Sequence, residues 1–312
     1  MSLATPGIHH VTAIAADPGR NLAFYTETLG LRLVKRSVNQ DDPGVYHLFY
    51  GDRVGSPGTS LTFFPYPEAN PGRAGTGQAT AVGLAIPPDA VSPWLDRLDD
   101  HDVDRDEPRE RFGETVVPFR DPDGLDLELV ARPVAAGEPP DGPVPEAQAI
   151  RGFADVTLTV TDGEAMTGLL TAMGYRTAGR DDGLRRFEAS GERGAVLFMR
   201  EDPSAERGRQ GAGTVHHVAF RVTEAEQSAW RELLVDHGLR PTDIVDRKWF
   251  SSVYTRTPVG VLFEFATETP GYTVDEPVAE LGSGLVLPPW LEEQRAEIEA
   301  QLPPLDRSVV NR

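Results

Sequence analysis

Thr214-Val215-His216-His217-Val218-Ala219-Phe220 and, near the start of the chain, Gly7-Ile8-His9-His10-Val11-Thr12 are two versions of one segment. Each is a histidine doublet set among β-branched and apolar residues, the composition of a strand. A doublet that recurs in the same context points to an internal repeat.

Outward from the first doublet the order reads β-α-β-β-β. A strand over Ile8–Ala15 leads to Asp17 as helix cap with Pro18 at the first helical position, and Gly30 ends the helix. Strand-like runs follow at Leu31–Val38, Val45–Tyr50 and Ser60–Phe64. A fainter second copy has a strand at Thr80–Ile86 and a helix at Asp89–His101. Its further strands are Glu114–Phe119 and Leu125–Ala131, joined through the turn Asp121-Pro122-Asp123-Gly124. A third copy has a strand at Phe153–Val160, a helix over 163–173 and strands at Arg185–Ala189 and Ala195–Arg200. The fourth opens at His216, carries Thr223-Glu224-Ala225-Glu226 as a capping box, and ends in strands Thr242–Arg247, Ser252–Thr257 and Val261–Ala266. Residues 133–150, rich in Pro and Gly, read as a linker. The expected fold is therefore α+β: four βαβββ modules in two tandem domains, residues 7–132 and 151–268, with a tail over 269–312 that carries a helix near Pro289–Leu302.

The spacing within the copies singles out a few positions. Glu264 lies 47 residues after His217, and 81 + 47 = 128 places Glu128 at the same distance from Ala81. The opening position is then His10, Ala81, Asp155 and His217 in the four units, and the position on the last strand is Thr62 or Phe63, Glu128, Phe198 or Met199, and Glu264. Only the first and fourth units open with His. If those two units face each other, His10, His217 and Glu264 share one cavity. Two imidazoles and a carboxylate on one face favour non-haem Fe(II) used with O₂. A carboxylate in the apolar strand Val261–Phe265 would also be costly without a cation. Glu128, with no histidine opening its unit, reads as structural, and His47, His101 and His237 as surface or core histidines. Because neighbours alternate along a regular strand, one residue of each doublet should face the cavity, and the second is the choice. His9 and His216 would then orient a ligand, reach substrate or pack between modules.

Composition narrows the rest. Cysteine is absent from the 312 residues, which excludes disulfides, zinc–thiolate sites and thiol nucleophiles. The net charge is 30 − 49 = −19, which argues against nucleic acid as a partner. No apolar run reaches membrane-spanning length and no signal-like start is present, so a cytoplasmic location is expected, with no membrane partner. Lysine occurs only at Lys35 and Lys248. An acidic, lysine-poor surface suits a salt-rich cytoplasm, and coding bias gives the same pattern.

Longer segments carry a family resemblance. They are Leu33 through Asp41, Tyr46 through Asp52, Pro57-Gly58-Thr59, Arg111-Phe112-Gly113-Glu114, Asp246 through Tyr254, and Phe263-Glu264 through Asp275-Glu276-Pro277, together with the two doublets. The chain resembles the vicinal-oxygen-chelate (glyoxalase/bleomycin-resistance) superfamily and, within it, the ring-cleaving dioxygenases that act on hydroquinones. The resemblance implies Fe(II), with Mn(II) as a substitute, on His10, His217 and Glu264. It further implies roles near the iron or substrate for His9, His216, Arg247 and Tyr254. The partners it implies are a small aromatic substrate and O₂, and edges of such modules leave room for a homo-oligomer. His216 is then the first candidate for moving protons and Tyr254 the second, with Arg247 holding the second hydroxyl and Trp249 and Phe250 walling the pocket. Val259 departs from the family's usual glycine before Gly260, which alters a turn and not a ligand. The rival readings are a catechol extradiol dioxygenase, a glyoxalase-like enzyme, and a metal-free protein that binds a small aromatic.

Overall fold

The computed structural model describes residues 3–134 and 138–305. Residues 135–137 of the expected linker and 306–312 of the expected tail lie outside them.

Each of the four units has the order βαβββ. The first comprises β1 (Ile8–Ala15), α1 (Pro18–Ala23), β2 (Arg32–Asn39), β3 (Asp42–Gly51) and β4 (Ser60–Pro65). Asp17 caps α1 by accepting a hydrogen bond from the Arg20 N–H at 2.6 Å, and Pro18 occupies the first turn, where its missing N–H costs nothing. The helix widens into a π-helical turn over Phe24–Thr28 and stops at Gly30, whose φ of +66° suits a residue without Cβ. The second unit is β5 (Gln78–Ile86), α2 (Val91–Asp100), β6 (Arg109–Arg111), β7 (Glu114–Arg120) and β8 (Asp126–Ala131). The third is β9 (Phe153–Val160), α3 (Gly163–Ala172), β10 (Arg176–Asp181), β11 (Leu184–Glu188) and β12 (Val196–Glu201). The fourth is β13 (Thr214–Val222), α4 (Gln227–Asp236), β14 (Val245–Asp246), β15 (Ser251–Arg256) and β16 (Leu262–Thr267).

Two local expectations change. The short strands β6 and β10 are added to units two and three; their residues are mostly charged or exposed, so hydrophobic alternation gives no sign of them. At Thr223 the hydroxyl donates to the Glu226 carboxylate at 2.7 Å and caps no backbone N–H, so the anticipated capping box is a side-chain pair in front of a 3₁₀ turn.

The units pair across the sequence. One eight-stranded sheet has the order β14-β15-β16-β13-β1-β4-β3-β2 and holds units four and one. The other, β10-β11-β12-β9-β5-β8-β7-β6, holds units three and two. In both, the opening strands of the two units run antiparallel at the centre, and each pairs in parallel with the last strand of its own unit. Each sheet is a curled cup. Apolar residues of the backing faces, such as Val11, Val218, Leu84 and Val156, together with helix residues such as Leu22, Trp94, Leu170 and Trp230, make one continuous core. A sheet of this kind must cover an apolar face, and pairing two units does so.

Two peripheral segments are tied down. Val144, Ala149 and Ile150 in the Pro/Gly-rich stretch are buried, and the Trp94 indole N–H donates to Gln148 O at 2.8 Å. The tail runs beside β2, which would otherwise be an open sheet edge. Val286 N–H donates to Arg36 O at 2.9 Å and the Ser37 hydroxyl to Val286 O at 2.6 Å. Lys35, fully buried, reaches Asp275 at 2.6 Å and Glu276 at 2.5 Å. A helix, α5 (Arg295–Gln301), closes the tail. Among the described residues no helix is long and apolar enough to cross a membrane.

Candidate metal centre

The central pairing of β1 with β13 brings the two doublets together. Thr12 faces His217 and His10 faces Ala219 across the ladder, a two-fold arrangement in which His10 and His217 hold equivalent places. The ladder slips by one residue at His9 and again at His216, so each doublet contains the extra residue of a β-bulge. The alternation expected of a regular strand therefore fails at this point: His216 lines the cavity together with His217. Glu264 enters from β16, where it pairs with Ala219.

The three side chains meet at depth. His10 Nε2 and His217 Nε2 are 3.3 Å apart, and Glu264 Oε2 lies 3.3 Å from the first and 2.8 Å from the second. All three residues are buried, Glu264 completely. Ligand atoms about 3 Å apart are what adjacent corners around a metal with bonds of about 2.1 Å require. The doublets give each inner imidazole a hydrogen-bond partner at Nδ1. His217 Nδ1 is 2.8 Å from His216 Nδ1 and His10 Nδ1 is 2.9 Å from His9 Nδ1. With the hydrogen of each inner imidazole on Nδ1, both Nε2 atoms present lone pairs to the same point as Glu264 Oε2, which is buried and accepts no hydrogen bond. A cation is the group that satisfies three converging lone pairs in a buried place. Among the described residues these three alone form such a cluster. The residues thus fit a metal of the two-histidine, one-carboxylate type, which suits non-haem Fe(II).

Burial by itself would raise the Glu264 carboxyl, but positive charge carried by His10 and His217 beside it holds it well below the usual range, the effect that a cation among the three would also have. Burial and the inner histidines push His9 and His216 down to about 3, so both are neutral at physiological pH. Burial also lowers His217, against the pull of Glu264. The Ser252 hydroxyl donates to Glu264 Oε1 and fixes the carboxylate's second oxygen.

Above the cluster lies a cavity of about 510 Å³. Its apolar wall includes Ile14, Phe49, Phe64, Trp249, Phe250 and Leu262, a surface suited to a flat ring. Arg247 and Tyr254 line the same cavity. The Arg247 Nε–H donates to the Tyr254 hydroxyl at 3.1 Å, and its two terminal nitrogens reach the Asp41 carboxylate at 2.9 and 3.2 Å. Burial and the Glu264 charge push the Tyr254 hydroxyl above its ordinary range. His9 lies to the other side, among Val54, Gly55, Trp249 and Tyr272. Glu128 sits in the second sheet, in ion pairs with Arg109 and Arg111 at 2.9 and 2.7 Å. His101 bonds Thr28 at 3.2 Å and His237 bonds the Leu233 carbonyl at 2.8 Å, both away from the cavity.

His47, expected from the sequence to be a surface or core histidine, is instead a residue of this cavity. It lines the cavity, its ring packs against Phe49 and Phe64, and its Nε2 is 2.9 Å from Thr62 Oγ1. The available signal was its place on the strand preceding Thr62.

Comparison with known proteins agrees with this geometry. Residues 7–129 match the profile of the Glyoxalase/Bleomycin resistance protein/Dioxygenase superfamily. A Bacillus subtilis (strain 168) protein named as the ring-cleaving dioxygenase MhqE is 42% identical, over 97% of this chain and 100% of its own. Chlorohydroquinone/hydroquinone 1,2-dioxygenase of Sphingobium indicum is 37% identical over 94% of each chain. A solved Bacillus subtilis structure described as a dioxygenase superposes with a TM-score of 0.95 at 39% identity, covering 98% of this chain and 99% of that one. Glyoxalase I from Zea mays shares the fold, with a TM-score of 0.61 at 18% identity over 84% of this chain and 92% of that one. The chain belongs to the Glyoxalase/Bleomycin resistance protein/Dioxygenase superfamily and, within it, to the ring-cleaving dioxygenases.

Proposed function

We propose that the protein is an Fe(II)-dependent, O₂-using dioxygenase that opens the ring of a hydroquinone or a related phenol. The observation that carries this reading is the convergence of His10, His217 and Glu264 beneath an aromatic-walled cavity. His10, His217 and Glu264 hold the metal, with Mn(II) as a substitute. The ferrous ion, when bound, supplies Lewis acidity towards a phenolic hydroxyl and electrons to O₂. The remaining work belongs to the chain. His9 and His216 donate no charge at neutral pH; each fixes the orientation of its inner neighbour through the Nδ1 contact. Of the two roles anticipated for His216, orienting a ligand fits its geometry better than transferring protons. Trp249 and Phe250 hold the ring face. Arg247, oriented by Asp41, and Tyr254 beside it take the hydroxyl remote from the metal, for which a fixed guanidinium fork is suited.

The three-ligand set favours this reading over a glyoxalase-like one, which would need a fourth protein ligand. The deciding experiment is O₂ uptake by protein purified and iron-loaded without oxygen, offered hydroquinone, catechol, or no phenol. Stoichiometric iron with uptake on hydroquinone is expected. Uptake on catechol alone points to an extradiol enzyme of another specificity. Retained phenol binding without iron or uptake points to a binding protein and ends the proposal.

A further inference from the structure

His47 has no part in the roles just given, yet it is joined to the centre by hydroxyls. From His47 Nε2 the path is 2.9 Å to Thr62 Oγ1, 2.8 Å on to Thr12 Oγ1, and 2.9 Å to His217 Nε2. Thr12 and Thr62 are fully buried, so water does not interrupt the row. Thr12 Oγ1 thus touches one of the three converging ligand atoms, His217 Nε2, and His47 opens onto the cavity.

The repeat gives this place a meaning. Thr62 stands in unit one where Glu264 stands in unit four: Thr12 pairs with Thr62 as Ala219 pairs with Glu264. Phe49 pairs with Thr62 and Tyr254 with Glu264, so two residues earlier His47 corresponds to Ser252. Each grips the side chain at its own fourth-strand position, Ser252 the Glu264 carboxylate and His47 the Thr62 hydroxyl. The same step in units two and three leads to Val116 and Leu184, which carry no proton. The polar pair at His47 and Thr62 therefore belongs to the cup with the metal cluster and faces it from the side opposite Glu264.

We propose that His47 is the proton-accepting residue of this cavity, taking the proton that a bound phenol loses beside the three ligands and giving it back later in the cycle. The phenol O–H donates to Thr12, Thr12 passes its own proton to Thr62, and Thr62 passes its proton to His47 Nε2. Each hydroxyl gains one proton and loses one; the net change is phenol to phenolate and imidazole to imidazolium. His47 starts neutral, because burial and then the neighbouring His10 and His217 lower it well below an ordinary histidine, with Arg247 acting the same way and Glu264 opposing. The negative charge of the phenolate supplies the field that the resting site lacks, and the aromatic rings of Phe49 and Phe64 keep the imidazole in line.

The inference rests on the proposed phenol-and-iron reading, and its test separates the two. Iron-loaded protein without oxygen is titrated with 4-nitrophenol, whose visible absorption reports ionisation. The bound probe should ionise about one pH unit lower in the wild type than in His47→Gln, a tenfold difference. Thr62→Val should share the defect and Thr62→Ser should not, which keeps the test intact if a His47 variant folds poorly. During turnover of hydroquinone, His47→Gln should lose kcat by ~10²-fold with KM changed by less than about threefold, and the acid limb of its pH profile should vanish. Added imidazole should restore part of the kcat of His47→Ala. Equal probe ionisation in wild type, His47→Gln and Thr62→Val, or a loss confined to KM, overturns the proposal. If the wild type cleaves no hydroquinone, the functional reading fails while probe ionisation still answers for His47.

Discussion

The two cups share one backbone plan and diverge at its centre. In the second sheet Ala81 faces Thr157 and Gly83 faces Asp155, and the ladder slips at Thr80 and Ala154 as it slips at His9 and His216 in the first. Gly83 also pairs with Glu128, as Ala219 pairs with Glu264. The four equivalent positions are thus His10, His217, Glu264 and Thr62 in one cup, and Ala81, Asp155, Glu128 and Phe198 in the other. In the second cup Arg111 occupies the middle: its guanidinium lies 2.7 Å from Glu128 and 3.4 Å from Asp155, over the ring of Phe198. A buried pair of carboxylates requires a cation, and here the chain supplies its own. In the first cup the Glu264 carboxylate meets two imidazoles, no arginine or lysine among the described residues forms an ion pair with it, and a cavity opens above the three side chains. The same bulged ladder therefore yields a permanent ion pair or a place for an exchangeable ion, according to which side chains stand at four positions.

That contrast can be attacked from both sides. The largest effect is expected from Glu264→Ala, which should abolish iron retention and O₂ uptake while leaving the second cup intact; metal analysis after desalting and circular dichroism check both halves. Arg111→Met should do the reverse. Taking the guanidinium from between Asp155 and Glu128, which keep only Arg132 at 3.7 Å and the half-exposed Arg109 at 2.9 Å, should destabilise the fold by up to about 3–5 kcal/mol at neutral pH, with iron content per folded chain unchanged. Burial already raises Asp155 to about 7, against the pull of Arg111. A carboxyl whose folded pKa is raised binds more protons folded than unfolded, so the variant should regain stability as pH falls from about 7 towards 5. Denaturant melts at the two pH values measure this; an undiminished deficit at low pH would contradict it.

Smaller effects are expected from the groups around His10, His217 and Glu264. His216→Leu removes the partner of His217 Nδ1 and should weaken iron binding by about 10–100-fold, read by competition with a chelator. Ser252→Ala frees one oxygen of Glu264 and should have a lesser effect in the same assay, because both imidazoles keep their partners. Retention of full affinity in His216→Leu would mean that the doublet does not set ligand orientation.

Much of this was legible because the chain repeats. His10, His217 and Glu264 announced themselves through recurrence and a constant interval, and the register puts Ala81 and Glu128 where that interval said they should be. The bulges were not legible, since a one-residue slip is a property of two strands joined far apart in sequence. Without it His9 and His216 would point away from their neighbours. Arg111 was hidden in β6, three residues long and charged, with no apolar period to mark a strand. His47 was hidden for another reason: its counterparts Val116, Leu184 and Ser252 share neither its type nor each other's, so repetition was silent about it.

The most direct test is to locate iron in crystals by anomalous scattering at the iron edge, in the wild type and in Glu264→Ala. The account predicts one peak per wild-type chain, between His10, His217 and Glu264, with nothing beside Arg111, and no peak in the variant. Iron bound between Asp155 and Glu128, or a peak that survives in Glu264→Ala, would contradict it.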